Sequence, residues 1–328
     1  MSETTANLRR QINSARELQS VVRTMKALSA SNIGQYEQSV RALADYYRTV
    51  QLGLGACLRK SGPTEFLVVG KEKVAPGATG AVVFGSDQGL VGRFNDVLAE
   101  HVIEMLASLP GPLRIWAVGE RVHARLTDAG LSLPGVLTVP NSVQAIAPLV
   151  GRILLECELG DGVAEVGQLH LFHNRPMAGA IYAPVSQRLL PLDEQWRRQL
   201  TGLAWPTRNL PEPVGGGDAT LRALIREHVF VSLFRACAES LASENASRRA
   251  AMERADRNID GLLEQLRGNF HRLRQSGIDE ELFDVISGFE AVSKVARRES
   301  SAALRSQIGA PGGTGGSGRS FTEFGSAR

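Results

Sequence analysis

The sequence predicts an α/β protein in which the two chain ends form a long antiparallel coiled coil around a central domain with a mostly parallel sheet. Three observations predict it. Thirteen of the 14 prolines fall between Pro63 and Pro213, so residues 1–62 and 214–310 lack the strongest helix breaker. Both proline-free ends carry apolar residues at alternating spacings of three and four, the mark of a helix–helix seam. The middle alternates β-rich runs with amphipathic helical patterns, which implies strands covered by helices.

In the first helix, expected over residues 1–60, the stripe runs Leu8, Ile12, Ala15, Leu18, Val22, Met25. A phase slip precedes a strict seam of Ile33, Tyr36, Val40, Leu43, Tyr47, Val50 and Leu54. The last helix, expected over 218–292, repeats the pattern in three pieces. These are Leu221, Leu224, His228, Val231; then Met252, Ala255, Ile259, Leu262, Leu266; then Ile278, Leu282, Val285, Phe289, Val292. Helices of about 55 and about 80 residues would be roughly 80 and 120 Å long, more than a domain of this mass can bury. Packing them against each other, with the last helix projecting past its partner, resolves that.

Between them, residues 61–217 read as a Rossmann-like α/β base domain. Strands are expected at Phe66–Val69, Ala81–Phe84, Leu113–Val118, Val136–Val139 and Gln168–Phe172, and helices at Asp96–Ser108, Glu120–Ala129 and Val143–Glu158. Residues 293–328 read as an extra tail, helical to about Gln307, because the tract from Gly309 to Ser320, GAPGGTGGSGRS, cannot build a core.

Composition narrows function. With 37 Lys and Arg against 34 Asp and Glu, the net charge of +3 is too small for a dedicated nucleic-acid binder. Within the chain, residues 1–60 carry nine basic and four acidic residues, net +5, and 61–217 carry 12 and 15, net −3. The least charged stretch, Ala129–Gly151, holds three prolines and does not read as a membrane span. The polar start MSETTANLRRQ has no export pattern, and Cys57, Cys157 and Cys237 stand far apart, so a reducing compartment is expected, without disulfide or zinc site.

The sequence has no GxxxxGK[ST] loop, GxSxG elbow, HExxH helix or GxGxxG turn. Catalytic, cofactor-binding and metal-binding residues are therefore expected to be none. SDQGLVGRFN, Ser86 to Asn95, follows a strand where α/β folds often bind ligands. It reads either as a phosphate turn using Arg93 or, the favoured reading, as a tight strand-to-helix turn shaped by Asp87, Gly89 and Gly92. His170 and His173, three apart on a strand, point to opposite faces and do not suit a shared metal. The basic residues Arg9, Arg10, Arg16, Arg23 and Lys26 are either a solvated flank or a contact for an acidic partner. Asp279, Glu280, Glu281 and Asp284 pose the same alternative. From the residues alone, a coiled-coil adaptor and an α/β enzyme acting on a phosphorylated ligand at Ser86–Asn95 both remain possible.

Three segments in order carry a resemblance: LRRQINSARELQSVVRTMKALSAS near the start, SDQGLVGRFN in the middle, and SLASENASRRAAMERADRN followed by RLRQSGIDEELFDVISGFEAV near the end. Together they resemble the gamma subunit of the rotary F-type ATP synthase, over residues 6–292. The resemblance implies a central rotor shaft, with chemistry performed on other subunits. It threads a hexamer of alpha and beta subunits, binds epsilon and stands on the membrane c ring, on the cytoplasmic face of the inner membrane, with no cofactor and no small-molecule substrate of its own. By position, the resemblance assigns Met25, Lys26, Arg274, Gln275, Glu281 and Asp284 to contacts with beta-subunit loops. It assigns Ile286, Phe289 and Val292 to an apolar bearing near the shaft's tip. The sequence departs from the family where Val91 and Arg93 replace the usual Cys and Gly, and where Asp279 replaces a common Thr. It departs again at Leu203–Gly217, in place of a Tyr-rich foot, and in the tail 293–328. These departures suggest a divergent branch, such as the alternative sodium-translocating F-type ATPases.

Overall fold

The computed structural model describes residues 4–60, 78–109, 111–158, 166–192, 194–209, 211 and 217–308. The elements are α1 (Thr5–Lys60), β1 (Ala78–Phe84), α2 (Phe94–Ala107), β2 (Leu113–Val118), α3 (Glu120–Asp128), β3 (Val136–Leu137), a 3₁₀ turn (Val143–Ala145), α4 (Ile146–Glu158), β4 (Val166–Met177), β5 (Ala180–Leu190), α5 (Glu194–Thr201) and α6 (Gly217–Ile308). The expected fold class, α/β with two long terminal helices and a mostly parallel sheet, holds. The strand expected at Phe66–Val69 lies outside the described residues. By packing, the chain forms two compact units, Ala15–Gly261 and the pair of segments Met1–Ser14 and Leu262–Arg328.

In the larger unit the sheet order is β3-β2-β1-β4-β5. All neighbours are parallel except the β4–β5 hairpin. Alternation along the strands supplies two cores. Ala81, Val83, Ile115, Ala117 and Phe172 face α2 and α3, where Leu98, Val102, Val122 and Leu126 cover them. Val82, Phe84, Trp116, Val118 and Leu171 face the other way, toward Ile146, Val150 and Ile153 of α4 and toward Val229, Leu233 and Cys237 of α6. A third cluster ties α5 to α1 and α6 through Leu200, Leu54, Leu58, Leu221 and Ile225. Gly55 makes that approach possible, because a Cβ there would stand 2.5 Å from the carbonyl oxygen of Leu200.

Within this unit α1 and α6 run antiparallel. Tyr46 bonds Glu227, Asn32 bonds Asn245 and Gln19 bonds Asp256, so one number rises as the other falls. The expected phase slip before Ile33 is absent. Among the buried and half-buried positions of α1, the series 15, 19, 22, 26, 29, 33, 36, 40, 43, 47, 50, 54 forms an unbroken heptad alternation. Gln19, Lys26 and Ser29 fill three of these places, and a reading that follows apolar residues steps off the seam onto Leu18, which is exposed. Likewise Leu263, not Leu262, is buried on α6.

In the smaller unit Leu8 and Leu263 are buried, and Arg9 lies over the ring of Phe270 at 5.9 Å. From residue 278 to 292 every residue of α6 is exposed. The helix continues about 16 residues past Val292.

Two elements were not anticipated. Strand β5 hides in a sequence broken by Pro184 and by the polar run Ser186, Gln187, Arg188, and as the last strand of the sheet it tolerates both. Helix α5 is two turns of polar sequence, held by burial of Leu200.

Candidate functional site: the helical shaft and its joint to the head

In open α/β sheets the crevice beyond the carboxyl ends of the strands, where strand order reverses, commonly binds ligands. Here that reversal lies between β1 and β4, and helix α6 occupies it. Residues 236–245 of α6 are buried without interruption. They can be, because Ala236, Cys237, Ala238, Ser240, Ala242 and Ser243 are small enough for the backbone to approach the sheet. Their hydroxyls serve as pins. Ser240 Oγ donates to the Phe84 carbonyl at the end of β1 (2.9 Å), Ser243 Oγ to the Asn174 carbonyl on β4 (3.1 Å), and Ser247 Oγ to the Val91 carbonyl in the following loop (2.5 Å).

At the centre stands Glu239, 6% exposed at its side chain. It accepts from His173 Nε2 (2.8 Å), Arg175 Nε (2.7 Å) and Arg235 Nε (2.7 Å). Burial alone would raise its carboxyl, but the hydrogen bonds from His173, Arg175 and Arg235 prevail and hold it at about 2. Burial pushes His173 down despite its bond to Glu239, so the ring is neutral at pH 7. An ionised carboxylate can only accept, so the proton of that neutral ring sits on Nε2. On the same helix His228, packed between Tyr47 and Trp196, is lowered by burial to about 4. Burial also pushes the Cys237 thiol far up, which leaves it unreactive.

The loop Ser86–Asn95 is committed to this joint. Asn95 Oδ1 accepts from Ser86 N–H and its amide donates to Ser86 Oγ. Asp87 accepts from Glu120 N–H (3.0 Å) and Val139 N–H (2.9 Å), tying together the ends of β1, β2 and β3. Arg93 pairs with Glu100 at 3.0 Å. This is the geometry of the tight-turn reading. His170 and His173 do face opposite sides of the sheet, His170 stacking near Phe172 and His173 reaching α6. Among the described residues no three His, Cys, Asp or Glu side chains stand together as metal ligands. No described helix is long and apolar enough to cross a membrane.

The residues assigned by resemblance fall in both units. In the larger one, Lys26 lies on the seam and is bonded to Asp256 (3.0 Å), which also accepts from Arg23 (3.0 Å) and Gln19 (3.2 Å). The hydrogen bond from Lys26, with those from Arg23 and Gln19, holds the Asp256 carboxyl below the usual range. Met25 is half-buried beside this layer. It belongs to a second stripe, Leu18, Val21, Met25, Leu28, whose other three members are more than half exposed. Sequence reading folded Leu18 and Met25 into the seam, because an outward apolar stripe and an inward one share the same spacing. In the smaller unit Arg274, Gln275, Glu281 and Asp284 are exposed on α6. Ile286, Phe289 and Val292 are also exposed there, Phe289 at 74%.

A long helix that fills the sheet's ligand crevice, paired with a second helix whose stripe of Leu18, Val21 and Leu28 stays exposed, is the build of a load-bearing or assembly protein. The family model described as ATP synthase matches residues 4–292, and the chain belongs to that family. It is similar to the ATP synthase gamma chain of Clavibacter sepedonicus, 28% identical over 86% of this chain and 95% of that one. It is also similar to the gamma chain of Moorella thermoacetica, 25% identical over 87% and 98%. Among solved structures its fold is similar to a chain in the rotor of the Euglena gracilis mitochondrial ATP synthase. There the TM-score is 0.55 at 15% identity, covering 84% of this chain and 98% of the other. The gamma-subunit reading of the sequence holds, and with it the non-catalytic role.

Proposed function

We infer that this chain is the central rotor shaft of an F-type ATP synthase, coupling ion-driven rotation of a membrane c ring to conformational cycling of the catalytic alpha and beta subunits. The observation that carries this is the continuous α1–α6 seam locked into the head by Glu239 and the serine pins. A shaft must be stiff, and it must bias its neighbours' states by contact, without chemistry of its own. Family membership supports the same reading.

In this proposal residues 1–60 and 218–292 are the coiled-coil helices, 61–217 the base that meets epsilon and the c ring, and 293–328 an added tail. The chain sits peripherally on the cytoplasmic face of the cell inner membrane, held there by the complex. Met25, Arg274, Gln275, Glu281 and Asp284 contact beta-subunit loops, and Ile286, Phe289 and Val292 turn in an apolar sleeve. Lys26 acts differently from a free contact residue, because its ammonium already bonds Asp256. It presents its stem outward and fixes the layer beneath Met25.

The test is a tagged pull-down of this chain from detergent-solubilised membranes of its source, with mass spectrometry and an ATPase assay. Recovery of alpha, beta, epsilon and c subunits with ATPase activity is expected, and a sodium titration of that activity then identifies the ion. A soluble complex without alpha and beta subunits would favour the adaptor reading. Unchanged ATP-driven pumping in an Arg274→Ala, Gln275→Ala variant would remove those two residues from the mechanism.

A further inference from the structure

Beside the Glu239 clamp lies a small cavity of about 20 Å³, between α6 and the β4–β5 hairpin. Its walls include His173 and Arg175 of β4, Gln187 of β5, and Ser232, Arg235 and Glu239 of α6. Two of these residues carry a buried polar atom that no protein group reaches: Nδ1 of His173, a residue 1% exposed, and Oγ of Ser232, a residue 5% exposed. Buried polar atoms in folded proteins almost always have a partner, so two orphans on residues that line one cavity call for a shared one.

The chemistry of the walls selects the partner. Because His173 gives its Nε2 proton to Glu239, Nδ1 presents a lone pair and needs a donor. A halide has no proton to give. A metal ion could take the lone pair, but it would enter beside the guanidinium groups of Arg175 and Arg235, which repel it. A water molecule needs about 10–15 Å³ of such space and two to four polar neighbours, and the cavity supplies both. An organic ligand does not fit.

We propose that the cavity binds one structural water, which donates to His173 Nδ1 and exchanges a hydrogen bond with Ser232 Oγ, adding a link between strand β4 and helix α6 beside the two that His173 and Arg175 make to Glu239. It is a site of the head–shaft joint, and it stands whether or not the rotary reading does.

The test is an experimental structure of the full chain at a resolution that shows ordered water, from crystals soaked in bromide and measured at the bromine edge. A single peak within about 3.2 Å of both atoms, with no anomalous signal, is the expected result. An anomalous peak would make the site an anion site and overturn the proposal, as would featureless density or a peak out of reach of either atom. A second measurement uses the full chain labelled with ¹⁵N histidine. Ser232→Val, which fills the space without a polar group, is expected to move the His173 Nδ1 resonance toward that of an unbonded ring nitrogen, whereas Ser232→Thr leaves it in place. An Nδ1 resonance unmoved by Ser232→Val would contradict the bound water.

Discussion

His173 on strand β4 and Glu239 on helix α6 are joined by a 2.8 Å hydrogen bond with both side chains buried, at the point where the long C-terminal helix crosses the sheet. Arg175 and Arg235 reach the same carboxylate from the two sides. Glu239→Ala removes the common acceptor and leaves three donors facing one another. A loss of about 3 kcal/mol is expected, at the low end for breaking a buried pair because both arginines keep contact with water. Urea unfolding of the purified chain measures it. Glu239→Gln, which keeps the shape and one acceptor, should lose less.

His228 makes stability depend on pH. Its folded-state value is lowered to about 4 against 6.5 in the unfolded chain, so the unfolded state binds more protons between those values. The stabilisation is therefore complete above pH 6.5 and is lost as the pH falls toward 4, by roughly 3 kcal/mol. His173, lowered by burial, acts in the same direction as the pH falls below 6.5, and Glu239, held at about 2 against 4.5 in the unfolded chain, does so below pH 4.5. The urea midpoint should fall steeply between pH 6.5 and 4, and His228→Phe should flatten the upper part of that fall.

Gly55→Ala tests the packing of α5. The added methyl would meet the Leu200 carbonyl at 2.5 Å, so α5 must move outward. Overpacking of this kind costs about 1–3 kcal/mol. A lowered melting temperature with faster amide exchange in residues 194–201 is expected, and an unchanged exchange pattern would show that the helix does not depend on this contact.

The Asp256 layer sets the register of the helical pair. A polar residue on an otherwise apolar seam accepts only the alignment that satisfies it. Asp256→Leu is expected to leave helix content intact while Lys26 loses its partner and Arg23 keeps only Asp260, 3.7 Å away. Cysteine cross-linking between positions 32 and 245, which face each other in the native alignment, should then become less efficient. Undiminished cross-linking would assign the register to the apolar layers alone.

Much of this was legible in the sequence, and what was hidden was hidden for physical reasons. The proline map and heptads located both long helices, and strand β2 matched Leu113–Val118 to the residue. The seam through Gln19, Lys26 and Ser29 was obscured because polar side chains occupied core positions, while Leu18 offered an apolar decoy one residue away. Hairpin strand β5 was masked by Pro184 and an outward-facing polar pattern. At the joint, Ser-Leu-Ala-Ser-Glu-Asn reads as a motif of small and polar residues. Nothing in one helix's spacing reveals that its serines cap the carbonyls of a sheet more than 60 residues away in sequence. The surface residues Arg274, Gln275, Glu281 and Asp284 came from resemblance alone. Their exposure leaves them available to a partner without naming it.

In the proposed function the α1–α6 pair turns inside its catalytic partners and the head turns with it. The most direct measurement reconstitutes this chain with the alpha and beta subunits of its source, fixes the hexamer to a surface and follows a gold bead on a cysteine introduced at Met177, an exposed site on the β4–β5 hairpin. With ATP, steady rotation in one direction with three pauses per turn is expected. ATP hydrolysis by the same particles with the bead stationary would contradict the account.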